Sequence, residues 1–272
     1  MILFVASKAD IAGLNIAENL LHLLSFRKIN EKFCGNPVYV ADLYGSEEAR
    51  LVFVNDEPVD TQNISYPNET RMIIFISRHS SRSGIPTLSV HTPGNIADAS
   101  LGGLPRKVSV SPASAMKAAL LEMKRARDEN NLSYEVSYEC THHGPSLETP
   151  AMFVELGSSP EQWRDVKAAE AVARGAVAAA MNRRSYTAVL GIGGQHYNKK
   201  FTKIALTSDL AFGHMIPKYA LQKVDEEILK QCVAKTVEPV KKAILDWKGI
   251  RGADKGRLLK ILKLMNLEVE KV

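Results

Sequence analysis

The sequence predicts an α/β fold with a mostly parallel or mixed central sheet flanked by helices. Two observations carry that expectation. Short apolar runs rich in β-branched residues alternate with longer stretches whose apolar residues recur at helical spacing. The residues with chemistry to offer, histidines above all, follow directly on those runs, where open α/β sheets bind their ligands.

In chain order, "ILFVA" at 2–6 reads as a buried strand. It is followed by "DIAGLNIAENLLHLLSF", an amphipathic helix with Ile11, Leu14, Ala17, Leu20, Leu21 and Leu24 on one stripe. Strands are expected at 38–42 ("VYVAD"), 51–55 ("LVFVN") and 72–77 ("MIIFIS"). A helix then runs from Ser111 as N-cap and Pro112 as first helical residue to about Asp128. Strands follow at 132–139 and 151–156. A helix opening on a Ser159–Gln162 capping box comes next, with Trp163, Val166, Ala169, Ala173, Val177 and Ala180 on its apolar stripe. "TAVLGI" at 187–192 is the last clear strand. His22 lies inside the first helix as a structural residue, and His214 is expected in a loop.

At 272 residues the chain is long enough for one large domain, and no linker or repeat divides it, so 1–272 is expected to be a single unit. It is 45% hydrophobic and 24% charged, with a mean hydropathy of −0.12. The opening "MILFVA" is too short for a signal peptide core, and no apolar run reaches membrane-spanning length. A soluble cytoplasmic protein without membrane contact is expected. Cys34, Cys140 and Cys232 form no CxxC pair and no disulfide framework. Cys140 reads as a half-buried thiol at a strand end, with a nucleophilic role as the alternative.

Five of the seven histidines follow strand candidates: His79 and His91 in "RHSSRSGIPTLSVH", His142 and His143 in "ECTHHGPSLETP", and His196 in "GGQHY". Neutral imidazoles gathered from several loops and joined by carboxylates suit a zinc centre, which would supply hydroxide at neutral pH. Glu139 and Glu148 are the nearby candidates for a general base. On an extended segment adjacent side chains face opposite ways, so His142 and His143 are not expected to share one metal, and His142 is the one expected to face the water. Arg78 and Arg82 have the forked geometry to hold a phosphate or carboxylate, and a polar flexible loop explains them equally. "GIGGQ" is neither a dinucleotide fingerprint nor a Walker loop, so Gly191, Gly193 and Gly194 are read as letting backbone approach a ligand. There is no G-x-S-x-G elbow, which leaves a serine hydrolase without support.

The net charge is +5, and the segment from Lys248 to Lys263 alone carries that excess. Such a basic carboxy-terminal segment, 248–272, fits an RNA partner; a solvated helix face explains it as well.

Taken together, "SRHSSRSGIPTLSVHTPGN" (77–95), "ECTHHGPSLETP" (139–150) and "GIGGQHY" (191–197) resemble the signature blocks of the archaeal and plant type D-aminoacyl-tRNA deacylase family. The resemblance covers essentially the whole chain. It implies hydrolysis of the ester joining a D-amino acid to the terminal adenosine of tRNA, two zinc ions per subunit, and a fold related to peptidyl-tRNA hydrolases and nucleoside phosphorylases. The expected partner is then the acceptor end of aminoacyl-tRNA, with no DNA and no obligate protein partner. Matching chemistry to that activity, His79, His91, His142 and His196 are expected at the metal or pocket. Glu148 is the expected base, Glu139 a ligand or second base, and His143 a substrate or supporting contact. Gly191, Gly193 and Gly194 would line the terminal adenosine or ester carbonyl, and Lys255, Arg257, Lys260 and Lys263 would hold the acceptor stem. A vicinal ribose hydroxyl that activates water itself is an alternative to zinc. A zinc amidase or esterase for small acyl compounds, and a non-catalytic RNA-binding protein, are the rival functions.

Overall fold

A computed structural model describes residues 1–43 and 47–272. The expected α/β class holds, with two sheets. The larger has eight strands: β1 (Ile2–Ser7), β2 (Arg27–Phe33), β3 (Asn36–Asp42), β4 (Glu48–Val54), β5 (Met72–Arg78), β6 (Thr87–His91), β7 (Glu135–Tyr138) and β8 (Ala151–Gly157). Their order is β2-β3-β4-β1-β5-β8-β6-β7. The smaller sheet runs β10-β9-β11-β12, from β9 (Thr187–Ile192), β10 (Leu210–Ile216), β11 (Lys242–Leu245) and β12 (Glu268–Lys271). Among the described residues six α-helices accompany them: α1 (Ile11–Leu23), α2 (Ala113–Glu129), α3 (Val166–Met181), α4 (Lys199–Thr207), α5 (Glu226–Ala234) and α6 (Gly252–Leu264).

The small sheet is parallel throughout. The large one is mixed: β5 and β8 run parallel, whereas β6 is antiparallel to β8 and carries β7 parallel to itself. That reversal positions the site. The register aligns Phe75, Phe153 and His91 across β5, β8 and β6, and Ser77, Glu155 and Ser89 two residues along on the same face. The alternate residues Ile74, Ile76, Met152, Val154, Leu88 and Val90 face the other way. There they join α1, α2 and α3 in one apolar cluster that continues to Phe201 and Phe212 beside the small sheet. The helices therefore cover one face of the large sheet and leave the histidine-bearing face to loops.

Several boundaries differ from the sequence expectation. Pro112, not Ser111, stands at the cap of α2, with no side-chain capping bond; the Glu238 carboxylate accepts the Ala113 and Ser114 amides instead, from 125 residues away. Ser159 and Gln162 do bond to each other, but Gln162 opens a short 3-10 turn, Gln162–Arg164, and α3 begins at Val166 under an Asp165 cap. Val166 is consequently exposed and not part of the apolar stripe. The strand expected at 132–139 shortens to β7. His214 lies within β10, buried, where Thr141 and the Lys235 carbonyl meet its two ring nitrogens. Strands β2, β6, β10, β11 and β12 were not expected at all. Among the described residues no helix is long and apolar enough to cross a membrane.

Candidate active site

Three backbone segments converge on the uncovered face. Pro93 bridges His142, and the Gly94 amide donates to the His143 carbonyl at 2.7 Å. On the other side Glu139 bridges Tyr197, and the Cys140 amide donates to the His196 carbonyl. The run Glu139–His143 is thus held between the end of β6 and the turn after β9. His143 adopts a left-handed backbone, φ 43°, which breaks the alternation of an extended chain. Its ring turns to the same side as His142, their centroids 4.2 Å apart. The expectation that the two could not share a ligand therefore fails for a definite reason, the local backbone.

The result is two triads of potential ligand atoms, His91, His142 and His143, and His79, Glu139 and His196, joined by a third, His91, Glu139 and Glu155, with the atoms of each within 4.8 Å of one another. In the first, His142 and His143 each donate Nδ1–H to a neighbouring carbonyl, of Cys140 at 2.8 Å and Gly144 at 2.7 Å. That fixes their Nε2 atoms as lone-pair donors. Nε2 of His91 lies 3.2 Å from Nε2 of His143, and the His91 ring stacks on Phe153 at 5.1 Å. In the second triad Glu139 is fully buried; its Oε2 accepts from His196 Nε2 at 2.7 Å and lies 3.6 Å from His142 Nε2. Its Oε1 lies 3.1 Å from His79 Nδ1 without hydrogen-bond alignment.

Burial opposes charge throughout, and the partners decide the outcome. Desolvation pushes His91 and His142 well below the ordinary imidazole range and His143 down to about 4, so these three are neutral. Desolvation acts on His79 in the same direction, yet Glu139 and Glu155 overcome it and hold the ring up at about 11. For Glu139 burial is again outweighed, by His79 and His196, and the carboxyl lies well below its usual range. Glu155 has burial as its dominant influence and is raised. The site is a neutral imidazole group beside a buried ion pair.

Glu155, fully inside β8, is the residue that sequence reasoning missed. Its Oε1 accepts the Ser77 hydroxyl at 2.7 Å and its Oε2 lies 3.4 Å from His79 Nδ1. A lone carboxylate in the otherwise apolar "AMFVELG" was the available signal. Tyr197, whose hydroxyl bonds His79 Nε2, and Tyr219, 3.4 Å from His196 Nδ1, were missed as well.

Other expected site residues lie elsewhere. The Glu148 side chain is 82% exposed and pairs with Lys235 at 2.6 Å, outside the histidine cleft, so it cannot serve as base there. Gly191 faces Phe201 and Met215 inside the protein, and Gly193 and Gly194 form a left-handed turn against Asp246, Ile250 and Asn198. These glycines aim the following His196; they do not line the cleft. Arg78 does line it, though its guanidinium already binds Glu57 at 2.7 Å, whereas Arg82 is exposed on the loop beyond. Arg257 donates to the Leu221 and Val224 carbonyls, and Lys255 stands over the Trp247 ring, while Lys260 and Lys263 are exposed and make no ion pair among the described residues. The Cys140 thiol is fully buried, donates to the Gln195 carbonyl and is pushed up to about 12, which leaves it inert as a nucleophile.

Buried imidazoles and carboxylates opening into a cleft on a mixed α/β sheet define an enzyme of the hydrolytic, acid–base or metal-assisted kind. Comparison with known proteins narrows this. Residues 66–270 match the sequence profile of the family described as D-aminoacyl-tRNA deacylase. The chain is 38% identical over 273 residues to the D-aminoacyl-tRNA deacylase of Pyrococcus furiosus, covering 98% of each. With that of Thermococcus kodakarensis it shares 37% over 271 residues, 97% of each. A crystal structure of a conserved protein of unknown function superposes with a TM-score of 0.87 at 30% identity, over 100% of this chain and 95% of the other. The chain belongs to the D-aminoacyl-tRNA deacylase family.

Proposed function

We propose that the two triads form one hydrolytic centre, which cleaves the ester of D-aminoacyl-tRNA with zinc as its metal and releases free tRNA and the D-amino acid. One observation carries this reading: three neutral histidines and a histidine–carboxylate group share a cleft in which His142 and His196 keep 22% and 29% of their side chains exposed. The donor sets, His₃ and His₂Glu, suit zinc, and two buried atoms within them, His91 Nδ1 and Glu139 Oε1, lack any hydrogen-bond partner. These residues would hold a zinc ion, and the chemistry it would supply is a water made acidic near neutral pH. The family assignment favours tRNA ester cleavage over a small-acyl amidase or a non-catalytic RNA-binding role.

An aminoacyl ester is already activated, so the protein has to orient water and substrate and accept the developing charge. His91, His142 and His143 present lone pairs and, being neutral, add no charge. Glu139 stays anionic and holds His79 and His196 in place. Tyr197 fixes the far nitrogen of His79, and Ser77 occupies one oxygen of Glu155. The second Glu155 oxygen lies 3.4 Å from His79 Nδ1 and holds that side of the ring.

The test uses metal-replete protein with D- and L-aminoacyl-tRNA, with and without chelator, and metal stoichiometry measured alongside. D-selective release that chelation abolishes and zinc restores is expected. Release that ignores the chelator would remove zinc but leave the deacylase reading. No release from either tRNA would remove both.

A further inference from the structure

Two cavities meet at the histidines, and they differ in size and character. One, about 650 Å³, carries the charged or polar Asp10, Glu57, Arg78 and Ser80 beside the apolar Val59 and Phe153, and falls within the usual range for small-molecule sites, roughly 300–1,000 Å³. The other is about 220 Å³, below that range, and its walls include Ile96, Ala97, Leu101, Pro217 and Ala220. His142, His143, Ser100 and Leu101 line both, so the imidazoles form the partition between them. The walls of the small cavity come from three segments, the loop after β6, the run 141–143, and the 3-10 turn Lys218–Lys223 with the proline before it. Leu101 and Tyr219 stand more than half exposed at its edge.

An aminoacyl ester has the same asymmetry. Its carbonyl lies between a bulky polar nucleoside and a smaller side chain, which is often apolar. We infer that the small cavity receives the side chain of the D-amino acid and the large one the terminal adenosine, so that Ala97 and Ala220 set how large an amino acid is accepted. This rests on the deacylase reading and adds the orientation of the substrate within it. Apolar lining suits the side chain, and hydroxyl and carboxylate acceptors suit ribose hydroxyls and the adenine amino group. The size of the small cavity also limits the alternative, since a nucleoside placed there would leave the larger space to a side chain that cannot fill it.

Ala97 and Ala220 are both half-buried in the wall of the small cavity, and leucine at either narrows it without replacing a histidine. The experiment measures kcat/KM for D-phenylalanyl- and D-alanyl-tRNA on the same preparation of wild type, Ala97→Leu, Ala220→Leu and Ser80→Leu. The ratio of the two substrates does not depend on the fraction of enzyme that is folded. The phenylalanyl-to-alanyl ratio is expected to fall about tenfold or more in both alanine variants, the scale of a pocket that excludes a larger group, and to stay within about threefold for Ser80→Leu. A ratio that moves with Ser80→Leu and not with the alanine variants would reverse the orientation. A ratio unchanged in all three would overturn the assignment, with wild-type D-selectivity still upholding the deacylase reading. Wild type inactive on both tRNAs would overturn that reading, and the orientation with it.

Discussion

At the residue scale, two carboxylates that look alike in sequence have opposite fates. Glu139 and Glu148 stand nine positions apart in one motif. The first is sealed between His79 and His196; the second reaches into solvent towards Lys235. Glu139→Gln keeps the shape but removes the anion that orders both rings. It is expected to lower deacylation kcat/KM at least about a hundredfold, roughly 2.7 kcal/mol, and to reduce bound zinc. Glu148→Gln is expected to leave the rate within about twofold. Equal losses in parallel assays would refute the division. The histidines themselves were legible, because neutral imidazoles placed after strands stand out in any α/β sequence. The facing of His143 was not, since it depends on a left-handed residue that no periodicity announces. Glu155 escaped for the converse reason: within a run of buried residues its carboxyl looks like an interruption until Ser77 and His79 are seen beside it.

At the scale of elements, most interior strands were readable and the peripheral or displaced ones were not. β1, β5, β8 and β9 are buried apolar runs and announce themselves. β2, "RKINEKF", lies at the sheet edge and is exposed along most of its length, so it carries charge instead of alternation. β6 is buried in the middle of a long polar segment and was read as loop. The cap of α2 comes from Glu238, a distant contact that local sequence cannot reveal. Helix α6 divides its basic residues into two kinds. Arg257 serves the fold by satisfying the Leu221 and Val224 carbonyls, and Arg257→Ala should cost about 1–2 kcal/mol in denaturant titration. Lys260 and Lys263 are exposed, and the Lys260→Gln, Lys263→Gln double variant should bind aminoacyl-tRNA more weakly, with a salt slope about one to two units shallower. An unchanged slope would leave these lysines as ordinary solvated side chains. α6 connects the parallel strands β11 and β12, so it runs back from the end of β11.

At the scale of the whole molecule, Glu47 links parts of the chain that the local reading kept separate. Its carboxylate pairs with Arg71 before β5 at 2.7 Å and Arg183 after α3 at 2.7 Å, and lies 3.8 Å from the amino terminus. The Arg71 hydrogen bond, chiefly, holds its pKa at about 2. A depressed carboxyl stabilises the folded state above its unfolded pKa, near 4.5, and that contribution is lost as pH falls through about 2. Screened by solvent around the two arginines, it amounts to about 1 kcal/mol. Glu47→Gln should therefore lower stability at pH 6 by about that amount and flatten the acid side of the pH–stability curve between those two values. A parallel downward shift at every pH would rule this out.

The order in which the two triads appear along the chain has a consequence for biogenesis. His91, His142 and His143 are all present once the first 143 residues have been synthesised, and the large sheet needs only β8 beyond them. His196 arrives later, and its strand β9 is flanked by β10 and β11, the latter ending at Leu245. During synthesis, which favours the folding of amino-terminal parts first, the strands of the large sheet can form before the turn after β9 arrives to hold the Glu139–His143 run. A chain stalled between those points would carry all three of these histidines and lack the segment that fixes two of them.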